Sequence, residues 1–417
     1  MERALLVNVH FSDRPYRDSW PVEESAQELK ELVRSSGLEV LGEVVVRRER
    51  PTSRSFVGKG KVQEIHDQCY ALKADVVIFG GDLNFTQQQN LEDVIGQKVI
   101  DRTQLILDIF AQRARSQEGK VQVELAQLQY LLPRLGGKGV LLSRLGGGIG
   151  TRGPGEQKLE MDRRRIRLRI GRLQRELKEV RSRRGIARKA REEEIPTVAL
   201  VGYTNGGKST LMNRLTHAGT PAENRLFTTL DPLARRLVLP NHQSVLLSDT
   251  VGFLHRLPHH LIEAFQATLE EVVASQILLH LLDAAHPRVE EQAQAVREVL
   301  EQLHVEEKQT ILVFNKIDLV SPGTLEGLKR RTPEAVAISA LTGQGIPDLL
   351  GCLMALLSPL LQEATVWISG SNQHWVDQIY REGQVLHREV LDNGMRLKVR
   401  IPHRLYGQLS KAGLIST

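Results

Sequence analysis

Gly202-Tyr203-Thr204-Asn205-Gly206-Gly207-Lys208-Ser209 is the stretch on which the fold turns. It matches G-x-x-x-x-G-K-S, a loop that joins a strand to a helix and cradles the phosphates of a nucleoside triphosphate. Residues 197–201 ahead of it form an apolar run that reads as a strand, and residues 208–216 behind it open a helix. The glycines permit a turn tight enough for successive backbone N–H groups to point inward, and the helix N-terminus adds its positive end. In such a cradle Lys208 reaches the β- and γ-phosphates, and Ser209, with Thr210 beside it, brings a hydroxyl to Mg2+. The alternative is a glycine turn with no ligand, and the motifs downstream count against it.

Asp249-Thr250-Val251-Gly252 ends the strand at 244–248. An aspartate there holds Mg2+ through water, and Gly252 offers its N–H to the γ-phosphate. Asn315-Lys316-Ile317-Asp318 follows the strand at 310–313. Asp318 can accept hydrogen bonds from guanine N1–H and the 2-amino group, a pair that adenine lacks, so it selects GTP over ATP. Ser339-Ala340-Leu341 follows the next strand and presents a backbone N–H to the guanine oxygen. Four motifs in this order describe a GTPase and resemble the translation-factor-related branch of P-loop GTPases.

Between the P-loop and Asp249, the segment Leu226-Phe227-Thr228-Thr229-Leu230-Asp231-Pro232 contains adjacent threonines, one of which should give a second Mg2+ ligand. Phe227, Thr228, Thr229, Leu230 and Asp231 are therefore candidate nucleotide contacts. A plain lead-in to a strand is the alternative. Phe253 stands where many GTPases carry a glutamine that orients the attacking water, and it has no polar atom for that task. His255, His259 and His260 are weak substitutes. A better one is K+ held by the amide oxygen of Asn205, placing positive charge where the transition state develops negative charge. The candidate catalytic set is Asn205, Lys208, one of the two adjacent threonines, Asp249 and Gly252, with Mg2+ on Ser209 and that threonine.

The rest of the 417 residues reads as an α/β chain in four parts. Residues 1–115 alternate apolar runs at 5–9, 44–46, 76–80 and 99–100 with helical stretches, as in a small parallel α/β domain. The basic, glycine-rich loop 57–61 reads as a turn before a helix. Residues 116–192 carry two heptad-like seams, Val121, Leu125, Leu128 and Leu132, then Ile166, Ile170, Leu173, Leu177 and Val180. Glycine-rich sequence lies between the seams, so an antiparallel helical hairpin with a long tip is expected. Residues 196–358 form the doubly wound, Ras-like G domain with one antiparallel strand. Residues 364–417 form a small α+β domain with a hairpin at Asp392-Asn393-Gly394.

The net charge of +6 is not spread evenly. From Arg163 to Arg191 there are fourteen Lys or Arg and two acids, Glu176 and Glu179. So basic a helix fits RNA phosphates better than a merely solvated face, and with Tyr130 the sole aromatic of residues 116–192, base stacking is not its mode. No apolar run reaches membrane-spanning length. The two cysteines, Cys69 and Cys352, fall in different parts, which excludes a disulfide framework and favours the cytoplasm.

Several segments together resemble the HflX family of GTPases over nearly the whole chain: Phe56-Val57-Gly58-Lys59-Gly60-Lys61, Ile100-Asp101-Arg102-Thr103, Leu107-Asp108-Ile109-Phe110-Ala111-Gln112-Arg113-Ala114, Val123-Glu124-Leu125-Ala126-Gln127-Leu128 and Gly148-Ile149-Gly150-Thr151-Arg152-Gly153-Pro154-Gly155-Glu156. The G-domain motifs and Leu257-Pro258-His259 add to the match. The resemblance implies a GTPase that binds the large ribosomal subunit and its rRNA, splits stalled or idle ribosomes, notably under heat stress, and is stimulated by the ribosome. It points to Thr229 as the Mg2+ ligand, and it agrees with Phe253. A monomer is expected. Gly206 departs from the family's usual alanine and Leu233 from its threonine, and the tip around 136–144 is richer in glycine and leucine. Competing readings are a signalling or trafficking GTPase, which the lack of a lipidation motif at 414–417 disfavours, and an RNA-remodelling NTPase that also uses ATP, which Asp318 disfavours.

Overall fold

Strands buried on both faces must be apolar throughout, and one four-residue strand shows it. Val76–Phe79, sequence VVIF, is buried at every position. The computed structural model describes residues 2–13, 16, 20–136, 154–192, 195–216, 226–227, 233–256, 266–369, 372–391 and 393–416. Of these, 154–159, 181, 183–192, 266–268 and 416 are described in backbone only. The chain forms two compact units, one built on the N-terminal part with segments Asn224–Leu230 and Leu257–Gln266, the other on the remainder.

The first unit alternates β1 (Arg3–Phe11), α1 (Val22–Ser35), β2 (Glu39–Arg48), α2 (Lys59–Leu72), β3 (Val76–Phe79), α3 (Phe85–Ile95) and β4 (Lys98–Asp101). The strands pair in the order β2-β1-β3-β4, all parallel. Leu5, Val7, Val46, Ile65, Phe79 and Leu91 fill one face of this sheet. Gly58 caps the start of α2, so the glycine-rich loop at 57–61 is a turn leading into a helix. Strand β2 outruns the short apolar run at its centre, because its outer half alternates with charged residues.

Helix α4 (Arg102–Arg113) follows β4 directly. Asp101 caps it, accepting a 2.8 Å hydrogen bond from the Gln104 N–H. The same buried carboxylate accepts from the Tyr130 hydroxyl at 2.8 Å and from the Arg134 guanidinium at 3.2 Å, while Arg134 lies over the Tyr130 ring. Helices α5 (Gln117–Leu131) and α6 (Pro154–Glu192) then pack through Val121 and Leu125 against Leu173 and Leu177, flanked by Leu128 and Ile170. Arg169 adds two 2.7 Å hydrogen bonds to Glu124. The expected tip, at 137–153, lies outside the described residues. Arg134 ties the last described turn before it to the sheet.

In the second unit, β5 (Thr197–Gly202), α7 (Lys208–Thr216), β6 (Leu233–Val238), β7 (Ser244–Asp249), α8 (Gln266–Ala274), β8 (Ile277–Asp283), α9 (Val289–Gln302), β9 (Gln309–Asn315), α10 (Pro322–Arg331), β10 (Val336–Ala337) and α11 (Ile346–Leu357) build the doubly wound sheet. Its order is β10-β9-β8-β5-β7-β6, parallel except for β6 against β7, which is the expected antiparallel strand. The C-terminal part runs β11 (Leu361–Ile368), α12 (His374–Glu382), β12 (Gln384–Leu391), β13 (Gly394–Pro402), α13 (His403–Lys411) and β14 (Ile415–Ser416). This α+β part is an antiparallel sheet in the order β12-β13-β11-β14, with Ile379 of α12 and Leu405 and Leu409 of α13 covering one face. The expected hairpin joins β12 to β13 through the Leu391–Gly394 pair, while Asp392 lies outside the described residues. No described helix is long and apolar enough to cross a membrane.

Candidate functional site

In an open, mostly parallel sheet, loops at the carboxyl ends of the strands gather on one edge. Strands β5, β7, β8 and β9 end at Gly202, Asp249, Asp283 and Asn315, so the predicted motifs meet there. The P-loop is held shut by its own strand neighbours. Tyr203 and Phe253 form a parallel bridge, with Thr204 N–H donating to the Phe253 carbonyl at 2.8 Å and Phe253 N–H to the Gly202 carbonyl at 3.2 Å. The Tyr203 hydroxyl accepts from the His255 N–H at 2.7 Å. Phe253 itself is buried, so the residue in the glutamine position serves the core.

Lys208 points back into the loop and donates to the carbonyls of Gly202 and Tyr203, both at 2.9 Å. Burial pushes its pKa down to about 8, opposed by the Asp249 carboxylate. Ser209 donates to Asp249 Oδ2 at 2.8 Å, and Thr250 donates to the Leu200 carbonyl at 2.6 Å. Gly252 sits over this group: a Cβ there would lie 2.9 Å from the Thr204 Cα and 3.1 Å from the Lys208 ammonium. Any larger residue would clash with Thr204 and press on the lysine. Asn205 is exposed on the loop with φ 61°, and Gly206 is buried behind it.

Asn315 locks the phosphate loop to the base-side loop. Its Nδ2 donates to the Gly206 carbonyl and its Oδ1 accepts from the Ala340 N–H, both at 2.9 Å. Gly207, at φ 91°, must be glycine because a Cβ would fall 2.1 Å from that Asn315 amide. Lys316 is pinned by a 2.6 Å bond to Asp283, a partner that no motif marks, although its place at the end of an apolar strand is a usable signal. Asp318 is exposed on a short 3-10 turn, and Ile317 N–H donates to the Ile338 carbonyl at 3.2 Å. Ser339 is fully buried and accepts from the Thr342 N–H, while Leu341 is exposed. Arg214 grips the Ala340 and Leu341 carbonyls.

The switch candidates divide. Thr228, Thr229, Leu230 and Asp231, like His259 and His260, lie outside the described residues. Phe227 is described and groups with the first unit. It is buried at φ 57°, its ring edge-on to Phe110 of α4 at 4.6 Å, and the neighbouring Leu226 N–H donates to the Ser35 hydroxyl at 3.0 Å. That contact escaped sequence reasoning because it joins residues more than a hundred positions apart.

The low Lys208 pKa has a measurable consequence. In the free protein the ammonium is retained below about pH 8 and lost above it. Bound phosphates favour the charged form, so above that point nucleotide binding must take up a proton. GTP affinity is expected to hold steady from about pH 7 to 8 and then fall by up to about tenfold per pH unit. Calorimetric titration across that range checks this; a flat profile contradicts it.

Known proteins resemble this chain over nearly its whole length. Family profiles described as GTP-binding GTPase N-terminal, GTP-binding GTPase middle region, 50S ribosome-binding GTPase and HflX C-terminal domain match residues 23–111, 113–191, 197–316 and 326–412. GTPase HflX of Alkalihalophilus pseudofirmus is 50% identical over 99% of this chain and 97% of its own length. That of Escherichia coli is 43% identical over 96% of this chain and 94% of its own length. A GTP-binding protein from Sulfolobus solfataricus, solved with GDP, aligns over 86% of this chain and 100% of its own at 24% identity and a TM-score of 0.45. With full-length relatives at this identity and all four family segments in order, the chain belongs to the HflX family of GTPases.

Proposed function

We propose that this GTP hydrolase is a ribosome-dependent switch of the cytoplasm. As a monomer it binds the large ribosomal subunit through the α5–α6 hairpin and splits or rescues stalled or idle ribosomes under stress. One observation carries the reading. Helix α6 turns Leu173 and Leu177 into the seam and leaves Arg164, Arg165, Arg167, Arg169, Arg172, Arg175 and Lys178 exposed. A packed hairpin with such a face presents a rigid row of cations to an RNA backbone. The 50S ribosome-binding description of the matched GTPase profile supports the same partner.

In the hydrolytic step, Lys208 gives positive charge and Gly252 an N–H to the γ-phosphate as water attacks it. Asp318 and the N–H groups at Ser339–Leu341 orient guanine. The paired hydroxyl and carboxylate of Ser209 and Asp249 are hard oxygen donors of the kind Mg2+ takes, so the residues present fit that ion. Ser209 and Thr229 would hold it, with Asp249 acting through water, and it would supply charge between the β- and γ-phosphates. Asn205, exposed at the loop's crest, would hold K+ in place of a water-orienting glutamine.

Two rate measurements test this. Saturating large subunits are expected to raise the GTPase rate by about tenfold or more, as partner-completed sites do; an unchanged rate would remove the ribosome from the account. Exchange of K+ for Na+ is expected to slow hydrolysis about tenfold in the wild type and to leave Asn205→Ala insensitive. Equal rates in both salts, with Asn205→Ala unaffected, would remove the monovalent ion.

A further inference from the structure

We propose that the open face of the C-terminal sheet binds single-stranded RNA. The β-α-β-β-α-β order, with strands in the order β12-β13-β11-β14 and both helices on one side, is the topology in which other sheets present a bare face to unpaired bases. Val399 and Leu397 point into the helices. The alternate residues of the central strand β13, Arg396, Lys398 and Arg400, point the other way. They form a row along one strand with steps of about 7 Å, comparable with the phosphate step of an extended single strand.

Across this row, Trp367 of β11 stands directly opposite Arg396, and Thr365 opposite Lys398. Trp367 is half-buried on the face opposite the two helices, where part of its ring stays accessible to a flat partner. Its ring lies over Gly394, where a Cβ would come within 3.0 Å of it. The combination of a stacking ring and an adjacent file of cations is how single strands are held without sequence preference.

Two carboxylates share the face. Glu389 pairs with Arg396 at 3.2 Å, and Glu363 pairs with Arg400 at 2.6 Å and Lys398 at 3.9 Å. All five side chains are about half exposed, and ion pairs of this kind are weak and exchangeable. A phosphate oxygen can take the place of Glu363. Removing that carboxylate should therefore strengthen RNA binding, the opposite of what a purely structural ion pair would do.

The proposal does not rest on the large subunit, and its probe is an oligonucleotide. In the full chain, Trp20→Phe and Trp375→Phe leave Trp367 as the sole tryptophan. Titration with a ten-nucleotide oligouridylate should quench its fluorescence saturably. The triple variant Arg396→Ala, Lys398→Ala, Arg400→Ala should weaken that signal at least about tenfold and lower the salt slope by about 2, the value for three single-strand phosphate contacts. Glu363→Gln should tighten it several-fold. Unchanged basal GTP hydrolysis reports that each variant is folded. RNA binding seen by anisotropy without Trp367 quenching would assign the binding to another surface and overturn the proposal. Quenching by an acidic peptide but not by RNA would overturn it in favour of a protein partner.

Discussion

Asp318→Asn is expected to weaken GTP binding roughly 100- to 1,000-fold and to create binding of xanthosine triphosphate. A carboxylate accepts from both guanine N1–H and the 2-amino group, and two such charge-assisted bonds are worth about 3–4 kcal/mol together. Xanthine replaces the amino group with a carbonyl, which the asparagine amide can meet with its own N–H. Asp318 sits exposed on its turn, and its backbone is held by the bond from Ile317 to Ile338, so the substitution leaves the loop intact. The check is kcat/KM for both nucleotides. A variant that still prefers GTP within about threefold of the wild-type ratio would show that guanine is read elsewhere.

The second large effect concerns the segment between the hairpin helices. Deleting residues 136–153 is expected to leave GTP binding and the basal rate within about twofold, while ribosome splitting falls by about 100-fold or more. The seam through Leu173, Leu177, Val121 and Leu125 lies away from the cut, and Asp101, Tyr130 and Arg134 anchor the end of α5. The helices should therefore stay packed, and a loss of splitting then reports on the deleted residues themselves. Light scattering of large and small subunits after mixing with the variant and GTP reads this directly. Retained splitting would refute the segment's role.

What the sequence made legible follows from how local each signal is. The P-loop, the Asp249 strand end and the 392–394 hairpin announce themselves because glycine positions and strand periods are set within a few residues. The seams at 121–132 and 166–180 were visible because the heptad repeat is itself the packing rule, and Leu173 and Leu177 are indeed the buried pair. Asp101 looked like one residue of a motif, yet it caps α4 and collects Tyr130 and Arg134, which only the fold brings together. Asn315 read as a nucleotide residue, and its amide also bridges Gly206 to Ala340 across 109 and 25 positions. Phe227 reads as a candidate nucleotide contact, and its ring also packs on Phe110. No pattern in the sequence encodes such long-range pairs, because their distance along the chain is unrelated to any local period.

GTP-dependent binding to the large ribosomal subunit is the step on which the proposed function depends. Co-sedimentation with purified large subunits at low salt, in a non-hydrolysable GTP analogue, tests it most directly. The protein is expected in the ribosomal pellet, with binding falling steeply as salt rises, as a contact through the basic face of α6 requires. Protein left in the supernatant at low salt with the analogue bound would mean that the large subunit is not its partner.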